Sequence, residues 1–282
     1  MSKLSIKTFS ISLALVFLLT GCDQIVQQMY LGGYNKDIKK FTQAIEIAKN
    51  DIQRSEGYSH RARAYSEKAR YSRFKKIIPL AKYYQMFDLA IYEHGKAIEL
   101  NPRSAEAFFS RGNTYYNRAA FVGAPSDYDP SAFSKNKKYF DLALADFTKA
   151  TEFDSGYYLA FDMKGLIEMS YKNYDQAISD FMQVMKIQPE SGRSRLADAY
   201  CNRGGSYQIE KKYDEAILDY KKSIELYLPS SGCDCEAYNP LAWIYAERGE
   251  YAKSLEIVNK AKYAKVWIDP HLIEKLVKAT GK

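Results

Sequence analysis

The stretch YLAFDMKGLIEMSYKNYDQAISDFMQVMKIQP, residues 158–189, decides the fold. Phe161 is followed four residues later by Gly165. Ala177 stands twelve residues beyond that glycine, then Phe181 after four, Val184 after three and Pro189 after five. Threes and fours are helix-face spacings, and one turn breaks them into two helices. Antiparallel helices approach closely only where small side chains stand at their crossing. Gly165 and Ala177 mark that crossing, with Phe161, Tyr174 and Phe181 filling the flanks. Pro189 is expected to end the second helix and set the next turn.

The register recurs on both sides. Tyr200, Gly204, Tyr207, Ala216 and Tyr220 form the next unit, and Tyr238, Ala242, Tyr245, Tyr251, Ser254 and Ala261 another. Gly204 to Ala216 and Ala242 to Ser254 are again twelve residues. Upstream, Phe108, Gly112 and Tyr115 pair with Tyr139, Ala143, Phe147 and Ala150, while Tyr58, Ala62 and Tyr65 pair with Phe87, Ala90 and Ala97. A lone second-helix pattern, Tyr34, Ile38, Phe41 and Ala44, precedes them. The pattern resembles the tetratricopeptide repeat (TPR), over roughly residues 34–278. The resemblance implies an all-α fold, a superhelical α-solenoid of helix hairpins. Glu168 and His94 depart from it where an aromatic is usual, and Ser223 where alanine is. The expected layout is a leading helix over 34–54, a repeat array over 55–268 with insertions near 66–86 and 117–138, and a capping helix over 269–282. Leu272, Ile273, Leu276 and Val277 give the cap one apolar face.

The first residues read as an address. Lys3 and Lys7 precede an apolar run from Phe9 to Thr20, short for a transmembrane helix and of signal-peptide length. It ends in Leu19-Thr20-Gly21-Cys22, which resembles the bacterial lipobox. That resemblance implies a signal peptide over 1–21, a lipidated Cys22 and a tether over 22–33, giving a bacterial TPR lipoprotein of the cell envelope. Asp23 resembles an inner-membrane retention signal, which favours the periplasmic side of that membrane in a Gram-negative cell and otherwise leaves the outer membrane. The alternatives are an ordinary secretory signal and an uncleaved anchor.

The 282 residues are 46% hydrophobic and 27% charged, with 25 tyrosines but only 15 glycines and three histidines. This excludes collagen-like, disordered and His-rich metal classes. The formal charge of +7 falls to 7 − 2 = +5 without Lys3 and Lys7, too modest to argue for nucleic acid. His60, His94 and His271 lack ligand spacing, and neither a phosphate-cradling glycine loop nor a nucleophile elbow occurs. No catalytic residue, metal or cofactor is therefore expected.

The resemblance places a partner groove on the first helices. Its lining would be Phe109, Asn113 and Tyr116, then Asp162, Met163, Leu166 and Met169, then Asn202 and Gln208, then Asn239 and Trp243. The asparagines suit the backbone of an extended peptide, since an amide donates and accepts at once. Phe109 and Asp162 stand against a carboxylate clamp. Lys68, Arg70, Arg73, Lys75, Lys76 and Lys82 form an acid-free basic stretch, readable as a membrane-surface contact or as a solvated helix extension. Cys201 and Cys235 could form one cross-link between neighbouring repeats in an oxidising compartment, with three free thiols as the alternative. The expected function is a non-catalytic, membrane-tethered scaffold for protein or peptide partners. The alternatives are an assembly factor for an outer-membrane secretin or pilus, and an envelope enzyme with an unrecognised site.

Overall fold

The computed structural model describes residues 30–75, 77–120, 130–226 and 237–281, and no strand occurs among them. They form two compact units, divided after Phe153. The first holds α1 (30–47), α2 (Asp51–Phe74), α3 (Leu80–Leu100), α4 (Ala105–Ala120) and α5 (Pro130–Phe153). The second holds α6 (Tyr158–Ser170), α7 (Tyr174–Ile187), α8 (Pro189–Ile209), α9 (Tyr213–Leu226), α10 (Tyr238–Glu247), α11 (Tyr251–Tyr263) and α12 (Pro270–Thr280).

Within each unit, helix hairpins pack on their neighbours in series, the arrangement of an α-solenoid. The crossings follow the small residues. A Cβ on Gly165 would lie 2.4 Å from the Phe181 ring, so glycine is required where α6 crosses α7. Gly112 faces Phe147 in the same way, at 2.8 Å, and Gly204 faces Tyr220 less tightly, at 3.1 Å. In the fifth hairpin, Ser254 Oγ donates to the Ala242 carbonyl at 2.8 Å, which explains a hydroxyl in a buried crossing.

A second device is repeated in the hairpins. The residue before each small crossing residue is a cation, and it meets a buried acid three residues beyond the small residue of the second helix. Arg61 makes two 2.8 Å bonds to Glu93, and Arg111 makes two 2.7 Å bonds to Asp146. Lys164 Nζ lies 3.2 Å from Asp180, and Arg203 bonds Asp219 at 2.7 and 2.8 Å. In the fifth hairpin the same two positions hold Leu241 and Ile257, both buried. Burial pushes the Asp146 and Asp180 carboxyls above the usual carboxylate range, against the opposing pull of Arg111 and Lys164.

Several expected boundaries move. α7 ends at Ile187, two residues before Pro189 as expected, but the turn is the single residue Gln188, and Pro189 itself sits in the first turn of α8, where its missing N–H is not needed. Gly165 and Gly204 stand 204 − 165 = 39 residues apart, about five more than a regular repeat. The surplus extends the N-terminus of α8 across α7, so closely that a Cβ on Gly192 would lie 2.2 Å from Met185 Cα. The leading helix ends at residue 47 rather than 54, because Asn50 caps α2 by accepting from the Gln53 amide at 2.9 Å. The first insertion is two helix extensions, α2 running on to Phe74 and α3 starting at Leu80, with Pro79 as its N-cap. The second insertion lengthens α4 to Ala120 and starts α5 at Pro130, with 121–129 outside the described residues. In the cap, Asp269 accepts from the His271 amide at 2.9 Å; Leu272 and Leu276 are buried, whereas Val277 faces solvent.

Candidate functional site

The expected groove residues divide into two classes. On α4, Phe109, Asn113 and Tyr116 are half-buried along one face. Phe109 rests 5.6 Å from the Phe147 ring, and Tyr116 meets Phe140 edge-on at 5.6 Å, so both rings are braced from behind by α5. Asn117 Nδ2 donates to the Asn113 carbonyl at 2.8 Å and to its Oδ1 at 3.1 Å, which fixes the Asn113 amide. In the second unit, Met163, Leu166 and Met169 on α6 are half-buried, with Leu166 and Met169 packed against the core of Ala177, Phe181 and Leu196. These six are partly accessible and mostly apolar.

The other five bond within the chain, four of them to another element, while Asn202 bonds within its own helix and stays exposed. Asp162 takes Arg195 of α8 in a two-bond ion pair at 2.7 and 3.1 Å. Gln208 Oε1 accepts from the Tyr220 hydroxyl at 2.8 Å, and Asn202 Nδ2 donates to the Asp198 carbonyl of its own helix at 2.8 Å. Asn239 clamps the approach to the cap: its Nδ2 donates to the Trp267 carbonyl, and its Oδ1 accepts from the Asp269 amide, both at 2.9 Å. Trp243 Nε1 donates to Asp269 Oδ2 at 3.3 Å, and the Lys275 ammonium lies 5.1 Å from the Trp243 ring. The physical reason is the cap itself. α12 arrives against α10 and α11 where another repeat would begin, and its lead-in segment takes the polar groups of α10.

The basic stretch is partly neutralised. Lys68 Nζ donates to Asn35 of α1 at 2.6 Å, and Arg70 pairs with Glu67 at 2.9 Å. Arg73 is half-buried, and Lys75 and Lys82 are exposed. α1 lies antiparallel on α2, with Phe41 stacked on His60 at 5.1 Å and Tyr30 on Tyr71 at 5.2 Å, and so draws Lys68 away from any continuous basic face. Lys76, Cys22 and Cys235 lie outside the described residues, while Cys201 is half-buried on α8.

Sequence reasoning placed His94 at an aromatic core position without foreseeing its surroundings. It is fully buried, neither ring nitrogen has a hydrogen-bond partner, and its pKa is lowered to about 3 by burial, with Arg63 and Arg111 adding to the effect. Glu168, the other departure, accepts from Asn173 Nδ2 at 2.7 Å and ties down the turn between α6 and α7. Among the described residues no three metal-ligating side chains cluster.

Family models of the tetratricopeptide repeat match residues 160–191 and 197–227. Protein HGV2 of Halocynthia roretzi is 31% identical over 102 residues, 35% of this chain and 19% of that protein, so the chain spans about a fifth of that relative's length. Among solved structures, TTC0263, a TPR protein of Thermus thermophilus, is 18% identical, covers 82% of this chain and 94% of its own, and superposes with a TM-score of 0.42. MamA is 20% identical, covering 64% and 90%, with a TM-score of 0.41. Pseudomonas aeruginosa pilF is 18% identical, covering 77% and 86%, with a TM-score of 0.39.

Proposed function

We propose that the chain is a membrane-tethered envelope scaffold that holds extended peptide segments of protein partners on its first-helix faces. The TPR fold is that of protein-interaction scaffolds. The observation that carries the finer reading is the α4 face, where two braced aromatics, Phe109 and Tyr116, flank the fixed amide of Asn113. Such a face offers aromatic anchors at little entropic cost and an amide for a partner's backbone. On this reading, lipidated Cys22 supplies the tether.

The test is site-specific photocrosslinking in cells from Tyr116 and Leu166, with Leu218, exposed on α9, as the control. Adducts from Tyr116 or Leu166 that are absent from Leu218 support the assignment; adducts confined to Leu218 refute it. Cys22→Ser separates the tether from the face: it should abolish acyl labelling and membrane fractionation. A Cys22→Ser chain that still took up acyl label would sink the lipoprotein reading.

A further inference from the structure

The corner between α11 and α12 carries a surface that neither the stacking nor the partner faces use. Residues 257–268 read IVNKAKYAKVWI, with three lysines and no acid. Ala261 and Val266 are buried and Ile268 packs on the core, so the aromatic residues between them turn outward: Tyr263 is 93% exposed and Trp267 67%. The display is fixed by the backbone. Val266 N donates to the Ala261 carbonyl at 2.9 Å, Lys265 takes the left-handed conformation at φ 59°, and the Trp267 carbonyl is held by Asn239. Lys260 pairs with Glu256 at 2.7 Å, whereas Lys262 and Lys265 are exposed and make no ion pair among the described residues.

Exposed tryptophan is a liability in water but suits the headgroup layer of a bilayer, where an aromatic ring with one polar edge sits between hydrocarbon and water. Flanking unpaired lysines suit anionic phosphates. A protruding corner can enter a fluid surface, whereas recognition of a peptide or a nucleic acid calls for a groove or an array of positioned donors. We propose that this corner is a membrane-surface contact, in which Tyr263 and Trp267 seat among the headgroups of an anionic bilayer and Lys262 and Lys265 face its phosphates. It goes beyond the tethered-scaffold reading and draws on the tether only for proximity.

The chain has two tryptophans, and Trp243 is held by Asp269 and Lys275, so the difference between the wild-type chain and Trp267→Phe isolates Trp267 emission. Full-length protein is mixed with phosphatidylcholine vesicles, with or without phosphatidylglycerol, carrying lipid brominated on its acyl chains. The expected result is a blue shift and quenching of the Trp267 component on the anionic vesicles, lost when Lys262→Gln and Lys265→Gln are combined, with Trp243 emission unchanged. Flotation of the same samples reads the tether separately. A chain that floats with Trp267 unquenched keeps its tether and overturns the corner; a Cys22→Ser chain that is still quenched on anionic vesicles supports the corner without the tether. Absence of both flotation and quenching overturns the corner as well. So does a Trp267 shift produced without vesicles by an oligonucleotide, or by raising the protein concentration, since the occupant would then be a nucleic acid or a second copy.

Discussion

Exchanging the Arg111–Asp146 pair for the Leu241–Ile257 pair of the fifth hairpin tests the repeated device directly. Arg111→Leu alone leaves a carboxylate whose side chain is 6% exposed, with no route to water. Asp146→Ile alone leaves a guanidinium that is already 24% exposed and can reach solvent along its own stem. The two single variants should therefore differ. Stranding a buried charge costs about 3 to 5 kcal/mol, which applies in full to Arg111→Leu and only in part to Asp146→Ile. The double variant should return to within about 2 kcal/mol of wild type, because a well-packed apolar pair replaces a buried ion pair at little cost. The remaining deficit is the loss of the Arg111 guanidinium from the Phe108 and Tyr115 rings, 5.6 and 6.0 Å away, worth about 0.5 to 1 kcal/mol each. Hydrogen exchange of α4 and α5 amides reads the effect locally, with the second unit as internal control. Raising the acidity should also soften Arg111→Leu, since the stranded Asp146 carboxyl already binds protons more readily than an ordinary carboxylate. A double variant as labile as Arg111→Leu, or an Arg111→Leu chain with wild-type exchange, would refute the reasoning.

Other tests follow from single positions. Because the folded-state pKa of His94 is depressed to about 3 from 6.5, its contribution is complete above pH 6.5 and is lost as pH falls toward 3. His94→Phe should therefore gain about 2 kcal/mol on wild type between pH 7.5 and pH 5; a stability difference that does not change with pH, read by denaturant titration, defeats this. Lys172 and Lys211 occupy the left-handed region at φ 62° and 61°, as Gly249 does at 73° in the corresponding turn. Glycine at either lysine should stabilise by about 0.5 to 1 kcal/mol, and Gly249→Ala should destabilise by a similar amount; melting temperatures moving the other way would contradict the turn geometry. Gly192→Ala should lower the melting temperature more than any of these, since its Cβ would strike Met185 backbone rather than a movable side chain; an unchanged melt would show that α7 and α8 are not in that contact.

The hairpin architecture was legible because packing writes it into spacing. Gly165 and Gly204 sit where a ring of the second helix presses on the first, and the twelve-residue offset to the second helix is a consequence of antiparallel crossing. Pro189 fills both roles open to a proline, standing just past the end of α7 and in the first turn of α8; the spacing shows the first role, and the contact between Gly192 and Met185 shows how closely the second brings α8 onto α7. The ion pairs were legible but unread. Arg61, Arg111, Lys164 and Arg203 each precede a crossing residue, and Glu93, Asp146, Asp180 and Asp219 each follow one by three; a charge at a core position requires a partner at the facing one.

The groove was the least legible part, and the reason is specific. Spacing within one hairpin says which way a first-helix residue points, but not what the next first helix brings to meet it. Asp162 and Asn239 both stand one residue beyond a leading aromatic. Both are taken by groups roughly thirty residues further along, Arg195 in one case and the Trp267–Asp269 segment in the other. At that register position a polar side chain serves stacking, because a buried or half-buried polar group is stable only when it is paired and the following hairpin is the nearest source of a partner. An apolar residue there has no such claim on it. Phe109, Asn113 and Tyr116 on α4 and Met163, Leu166 and Met169 on α6 are the residues on which a partner-binding reading stands, and a partner whose crosslinks mapped to Asp162 or Asn239 instead would have to displace an ion pair or the cap to reach them.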